Sequence, residues 1–249
     1  MGNTIQGSDG DQFTVHTTQV LSLGQSMQFA DGRKFRYSRA DPSTAVVVGK
    51  VYQAAVPAAD NTHALITPAA AAVGDRTITV AIGGTAIAAN VFRDGFLTVD
   101  LVGNTGFGYM YKLAPHGDVA ASTSYTFPLA SGSSVQVAIA TTASSVSLVR
   151  NPYADIVLSA ATAPTAMVVG VSVKPIPAAQ FGWIQTSGNV MCLVDGTVVI
   201  GQQLIPAITT TGAMVVQSTA ESLTVPTIAS CTRVATDTNY STVTLIGLN

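Results

Sequence analysis

Short apolar runs separated by turn residues cover most of this chain, and within many of them apolar and polar positions alternate. Alternation with a period of two marks a strand with one buried face, whereas a helix repeats every three to four residues. In "SMQFADGRKFRYSRA", Phe35 and Tyr37 fall on one face and Lys34, Arg36 and Ser38 on the other. A three-residue loop, Asp31-Gly32-Arg33, sets Phe29 opposite Phe35 and Met27 opposite Tyr37, which keeps like faces together. "TAVVVGKVYQAAV" reads as a strand broken at Gly49. "TPAAAAVGD" is the one candidate helix: Thr67 can cap it, Pro68 suits its first turn and Gly74 can end it. Strands then resume. Ile78 and Val80 alternate with Thr77 and Thr79, and Leu97, Val99 and Leu101 oppose Thr98 and Asp100. Gly83-Gly84 and Asp94-Gly95 supply turns.

Pro152 and Pro164 bracket a boundary, and "TAMVVGVSVKPIP" is a strand closed off by prolines. "GWIQTSGNVMCLVDGT" follows, with the single Trp of the chain, Trp183. Its Asp195-Gly196 pair between two apolar runs predicts a two-residue hairpin that sets Leu193 opposite Val198 and Met191 opposite Ile200. Both faces of that hairpin are apolar, so cover on both sides is expected. In the last run, "NYSTVTLIGLN", Val243 and Leu245 point one way and Thr242 and Thr244 the other. Many short strands with almost no helix predict an all-β fold of sandwich or barrel modules. Residues 1–25 lack any period, hold four glycines, and read as an extended N-terminal arm that needs a partner to hold it. The expected division is this arm, a principal β-domain from 26–62 plus 151–249, and an inserted β-domain at 63–150.

Charge sharpens this picture. Only 10% of the 249 residues are charged, against about 25% in an ordinary soluble domain. Hydrophobic residues make up 47%, so Thr, Ser, Ala, Gly and Asn replace the missing charge. Such a surface is weakly hydrated and cheap to desolvate, which suits a protein packed against neighbours. A secreted β-protein with a Ser/Thr-rich exterior is the plainer alternative. The net charge of -2 argues against nucleic acid as a partner, since phosphate binding needs a clustered basic face. The one basic cluster is Arg33, Lys34, Arg36 and Arg39, either a solvated strand face or a docking patch for an acidic protein surface. No apolar run approaches the roughly 20 residues of a membrane helix, so no membrane partner is expected. Two cysteines, Cys192 and Cys231, make no disulfide framework: either they pair with each other, or they are buried free thiols, which fit an intracellular assembly site just as well.

Residues for catalysis are scarce. His16, His63 and His116 stand apart without metal-ligand spacing and read as surface or turn residues. Most of the 13 acids sit beside Gly or at strand ends, where turn capping accounts for them. "GQSMQ" at Gly24 misses the last Gly of a serine elbow, and no phosphate loop is present. No catalytic, cofactor-binding or metal residue is expected, and no enzyme activity. Phe181 with Trp183 could stack a sugar, but a lone Trp between apolar strands is more often a buried anchor.

"ADGRKFRYSRA", "GKVYQ", "SLVRNPY", "FGWIQTSGNVMCLVDGT" and the terminal "ATDTNYSTVTLIGLN" together resemble virion structural proteins of tailed bacteriophages, of the head decoration or cement type. The resemblance touches about half of the chain. It implies an all-β protein, free of cofactor, on the exterior of an icosahedral capsid and assembled in the host cytoplasm. Its partners would be the major capsid protein, whose subunits it bridges, and copies of itself, commonly as a trimer at a local symmetry axis. A fibre, spike or tail component that binds host glycan is the alternative. The residues expected at capsid or subunit contacts are Arg33, Lys34, Arg36, Arg39, Phe181 and Trp183, with Trp183 fixing the Asp195-Gly196 hairpin as a contact.

Overall fold

A computed structural model describes residues 4–63, 65–100, 105–218 and 225–248. It is all-β, with 39% strand and 3% helix. In chain order the first strands are β1 (Ile5–Gln6), β2 (Ser26–Gln28), β3 (Lys34–Arg39), β4 (Val51–Gln53), β5 (Leu65–Thr67) and β6 (Thr77–Ala81). Next come β7 (Phe96–Val99), β8 (Met110–Lys112), β9 (Ser124–Pro128), β10 (Thr142–Val149) and β11 (Val157–Leu158). The last are β12 (Val168–Ser172), β13 (Phe181–Asp195), β14 (Gln203–Pro206), β15 (Met214–Val216), β16 (Ala229–Cys231) and β17 (Tyr240–Ile246). The chain divides into two compact units, Met1–Val56 with Pro152–Asn249, and Pro57–Asn151.

In the first unit everything is organised on β13, which is 15 residues long. Its first half lies between β3 and β12. From β12 the pairing runs through β4 to β11, and a parallel bridge, Ala40↔Ile156, returns it to the end of β3. The second half of β13 pairs with β17 on one side and β15 on the other, and β15, β14, β16 and β17 complete a second ring of five strands. Ring closure leaves no free sheet edge in these strands. Burial follows from this placement. Phe181 to Thr186 are all buried, because both faces of the first half are covered. Beyond Asn189 the strand alternates, with Val190, Cys192 and Val194 buried and Met191 exposed.

Pro57–Asn151 holds the sheet β5-β10-β7-β8 and the pair β6-β9, joined through the bridge Leu113↔Leu129. Ile78, Val80, Leu97, Val99, Phe127 and Leu148 are buried in its core. Leu97 and Val99 share the buried face, as their alternation with Thr98 predicts; Leu101 lies outside the described residues.

Three local expectations fail. The helix at Pro68–Val73 does not form. Thr67 ends β5, with its hydroxyl donating to the Ala140 carbonyl at 2.9 Å, and Ala71 bridges Ile139. A stretch this short cannot offset helix nucleation when a neighbouring strand offers its hydrogen bonds. The only α-helix among the described residues is the four-residue Ala59–Thr62. The hairpin at Asp195-Gly196 is also absent. β17 and β15 already occupy both edges of β13, the chain turns away at Gly196 (φ 75°), and Val198 bridges Ala235 instead. The hairpin β2–β3 does have a three-residue loop, but it is Ala30-Asp31-Gly32. Met27 therefore faces Phe35, two positions from the expected register, which leaves the buried face unchanged.

One design recurs in the connections. A buried residue makes a single antiparallel bridge, and three positions later the backbone turns to positive φ. This happens from Val46 to Gly49, Ala71 to Gly74, Ile87 to Asn90, Val119 to Ser122, Ile176 to Ala179, Val198 to Gly201 and Ala235 to Thr238. In three cases both members of a bridge begin such a turn: Val46↔Ile176, Ile87↔Val119 and Val198↔Ala235.

Candidate functional site

The basic run lies on β3 and the turn before it, and most of its charge is engaged at home. Arg33 bonds Asp9 and, at 2.6 Å, Asp31, and its guanidinium lies 4.9 Å from the centre of the Phe29 ring. The Arg33 backbone amide and guanidinium hold Asp31 below the usual carboxylate range. Arg36 donates to the Gly24 carbonyl at 2.9 Å. Arg39 pairs with Asp155 at 3.1 Å and sits over Phe181. Of the four, only Lys34 is exposed; the three arginines are partly buried.

Phe181 and Trp183 are covered by the chain itself. Trp183 faces Tyr37 across the ladder, with the rings edge-on at 5.3 Å, and its Nε1 donates to Thr14 Oγ1 at 3.2 Å. His16 forms a backbone bridge with Phe181, and its Nδ1 lies 3.2 Å from the Tyr37 hydroxyl. Burial pushes the Tyr37 phenol above its ordinary value. The N-terminal arm therefore closes over the aromatic face of its own chain, with β1 adding to β2 in parallel. Trp183 anchors this cover. It does not fix a hairpin at Asp195, and both rings are buried within the chain.

Among the described residues no group of three or more His, Cys, Asp or Glu could hold a metal ion. No helix there is long and apolar enough to cross a membrane. His116, expected at the surface, is buried with 6% exposure.

What the first unit does present is the outer face of the second ring. Ladder partners on that side are Leu193↔Tyr240, Met191↔Thr242, Asn189↔Thr244 and Ser187↔Ile246. On β16, Ser230 stands beside Thr244. Cover on both faces was expected of the run holding Met191, yet Met191 is 47% exposed, and on β17 Tyr240 is 38% and Ile246 58% exposed. None of these positions carries a charge. Charge borders the face at its ends: the Arg233 guanidinium donates to the Tyr240 carbonyl, and exposed Lys34 is the ladder partner of Ser187. The turn carrying exposed Val47 and Val48 adjoins this face: a Cβ on Gly49 would lie 2.5 Å from the Tyr240 ring. The internal bonds of the face are already made, since Thr244 donates to Asn189 Oδ1 and Thr242 to Met191 Sδ at 3.3 Å. A partner covering the centre of this face, at Met191, Thr242, Thr244 and Tyr240, would strip water from hydroxyls and methyls and from no ion, so the desolvation cost is small. The alternation of β17 was readable in the sequence and gave half of this face. The other half was missed because Met191 and Leu193 are as apolar as their buried neighbours Val190 and Cys192.

Compared with protein-family models, with curated proteins and with solved structures, the chain has no match.

Proposed function

We propose that the protein is a structural subunit of a tailed-phage capsid that decorates and cements the head exterior by bridging major capsid subunits. The uncharged, water-facing side of the ring built on Met191, Thr242, Thr244 and Tyr240 carries this reading. A lattice protein needs a broad face that is cheap to desolvate, and many copies on one shell turn a modest contact into a strong collective one. The resemblance of the segments around Arg36 and Trp183 to decoration proteins points the same way, and self-association as a trimer belongs to the same proposal. The N-terminal arm has its place on its own chain, so the contact is assigned to the ring face and not to Phe181 or Trp183. The test is to mix the purified protein with undecorated heads and image them. Binding to the exterior, with better survival of heat or osmotic shock, supports the proposal; failure to bind any head or tail lattice refutes it.

Glycan recognition by a fibre or spike component is the second reading. It is favoured by Phe107 and Tyr109 in the Pro57–Asn151 unit, 54% and 42% exposed, with Tyr109 stacked on Tyr111 at 6.3 Å. Binding on a glycan array that Phe107→Ala abolishes would establish it, and a blank array would remove it.

A further inference from the structure

Of the three histidines only His116 is buried. Its ring sits among Phe92, Tyr125 and Phe127, edge-on to Phe127 at 5.3 Å. Two segments of the Pro57–Asn151 unit meet at this ring, the turn at 87–95 and the stretch at 113–119. The Phe92 backbone amide donates to His116 Nε2 at 3.0 Å, in a fully buried bond. An amide can only donate, so Nε2 is the acceptor and the ring proton is on Nδ1. From there it reaches the Gly117 carbonyl at 2.8 Å. Both nitrogens are thus committed, and only the neutral ring in one tautomer satisfies both. The backbone repeats the link: the Asn90 amide donates to the His116 carbonyl at 3.0 Å, and the His116 amide to Asn90 Oδ1 at 3.1 Å. Asp118 caps the Ala89 amide at 2.8 Å, and Ile87 bridges Val119.

We infer that His116 is an acid-sensitive latch, holding the 87–95 turn against the 113–119 stretch as a neutral imidazole and releasing it when protonated. Protonation places an N–H on Nε2 directly against the Phe92 N–H. One buried hydrogen bond becomes a donor facing a donor, and a charge appears among three aromatic rings. The ionisable groups around the ring do not offset this. Asp118 favours the charged ring, but its carboxylate is engaged at Ala89. The Tyr125 hydroxyl accepts the Gly117 amide at 3.0 Å. Asp94, on the same turn, is paired with Lys112 at 3.3 Å. Burial is the largest influence and lowers the His116 pKa, against the opposing pull of the Gly117 carbonyl and Asp118. The opened state therefore takes up the proton more readily than the closed one. The stability that the latch adds is complete above about pH 6.5, the ordinary histidine value, and is lost as pH falls below it toward the lowered folded value.

Amide hydrogen exchange on the full chain tests this, with protection factors corrected for the intrinsic pH dependence of exchange. From about pH 7.5 to about pH 5, protection of the Phe92 and Asn90 amides is expected to fall about tenfold. That of Val243, in the other unit, stays constant. In His116→Gln, whose side-chain oxygen can accept the Phe92 amide without titrating, the profile for Phe92 is flat. An unchanged Phe92 profile in the original chain, or the same slope in His116→Gln, overturns the latch. If the variant does not fold, the ring resonances of His116 decide. A midpoint below the ordinary value, followed by the Phe92 amide, supports the latch; a midpoint at or above that value overturns it.

Discussion

Cys192 and Cys231 face the interior of the same ring with Ser241 between them. Cys192 is the ladder partner of Ser241, and Cys231 Sγ lies 3.7 Å from the Ser241 hydroxyl on the other side. The two thiols stand on strands separated by β17, which places their Cα atoms about 10 Å apart, beyond the roughly 7 Å that a disulfide can bridge. Burial also pushes the Cys192 thiol well above the ordinary range, which suppresses its thiolate. A thiol-reactive dye should therefore find no group in the folded protein and two after denaturation, and reductant should leave the melting temperature unchanged. A fall in melting temperature on reduction would contradict the arrangement.

Trp183 couples β13 to β3 through Tyr37 and to the N-terminal arm through Thr14. Trp183→Ala should cost about 3–5 kcal/mol in urea denaturation. Trp183→Phe should cost less, because a ring still meets Tyr37. Thr14→Val should loosen the arm alone, seen as faster exchange at the His16 amide. An unaltered midpoint in Trp183→Ala would remove Trp183 from the core.

Backbone conformation gives a pair of opposed predictions. At Gly170 (φ 149°) a Cβ would stand 2.4 Å from both the Gln185 carbonyl and Ile184 Cγ2, where β12 crosses β13. Gly170→Ala should cost on the order of 3 kcal/mol or prevent folding. Thr238 is a β-branched residue held at φ 57°. Relieving it with Thr238→Gly should raise stability by about 0.5–1 kcal/mol. Thermal denaturation of the two variants checks both signs.

The strands were legible where one face is buried and the other wet. Thr77–Ala81 and Tyr240–Ile246 alternate in the sequence as they do in the structure, and β3 does so from Lys34 to Tyr37, beyond which Ser38, expected on the polar face, is buried as well. Alternation carries no information where a strand is covered on both sides, so β13 gave no sign that its halves serve two rings. Asp195-Gly196 was misread for a related reason: a turn dipeptide shows that the chain bends, and not which strand it meets next. The recurrent bridge-and-turn design was hidden because Asn90, Ser122, Ala179 and Thr238 hold the positive-φ position that glycine marks elsewhere. The uncharged outer face was less conspicuous in the sequence than the basic cluster, whose charge Asp9, Asp31 and Asp155 largely neutralise.

A single charge on the outer face of the second ring should separate folding from assembly. Met191 and Thr244 project outward beside Thr242 and Asn189, away from the core of Val190, Cys192 and Val243. Met191→Asp and Thr244→Asp should keep the melting temperature within a few degrees, since surface changes usually stay within about 0.5 kcal/mol.

The decisive measurement is the occupancy of undecorated heads by the original chain and by Met191→Asp, titrated side by side in an electron microscope. Saturable binding by the first, weakened about tenfold or more by the second at equal folded stability, is the predicted result, since one desolvated unpaired charge costs more than 1.4 kcal/mol. Equal binding by both proteins would contradict the assignment of this face, and no binding by either would contradict the capsid role itself.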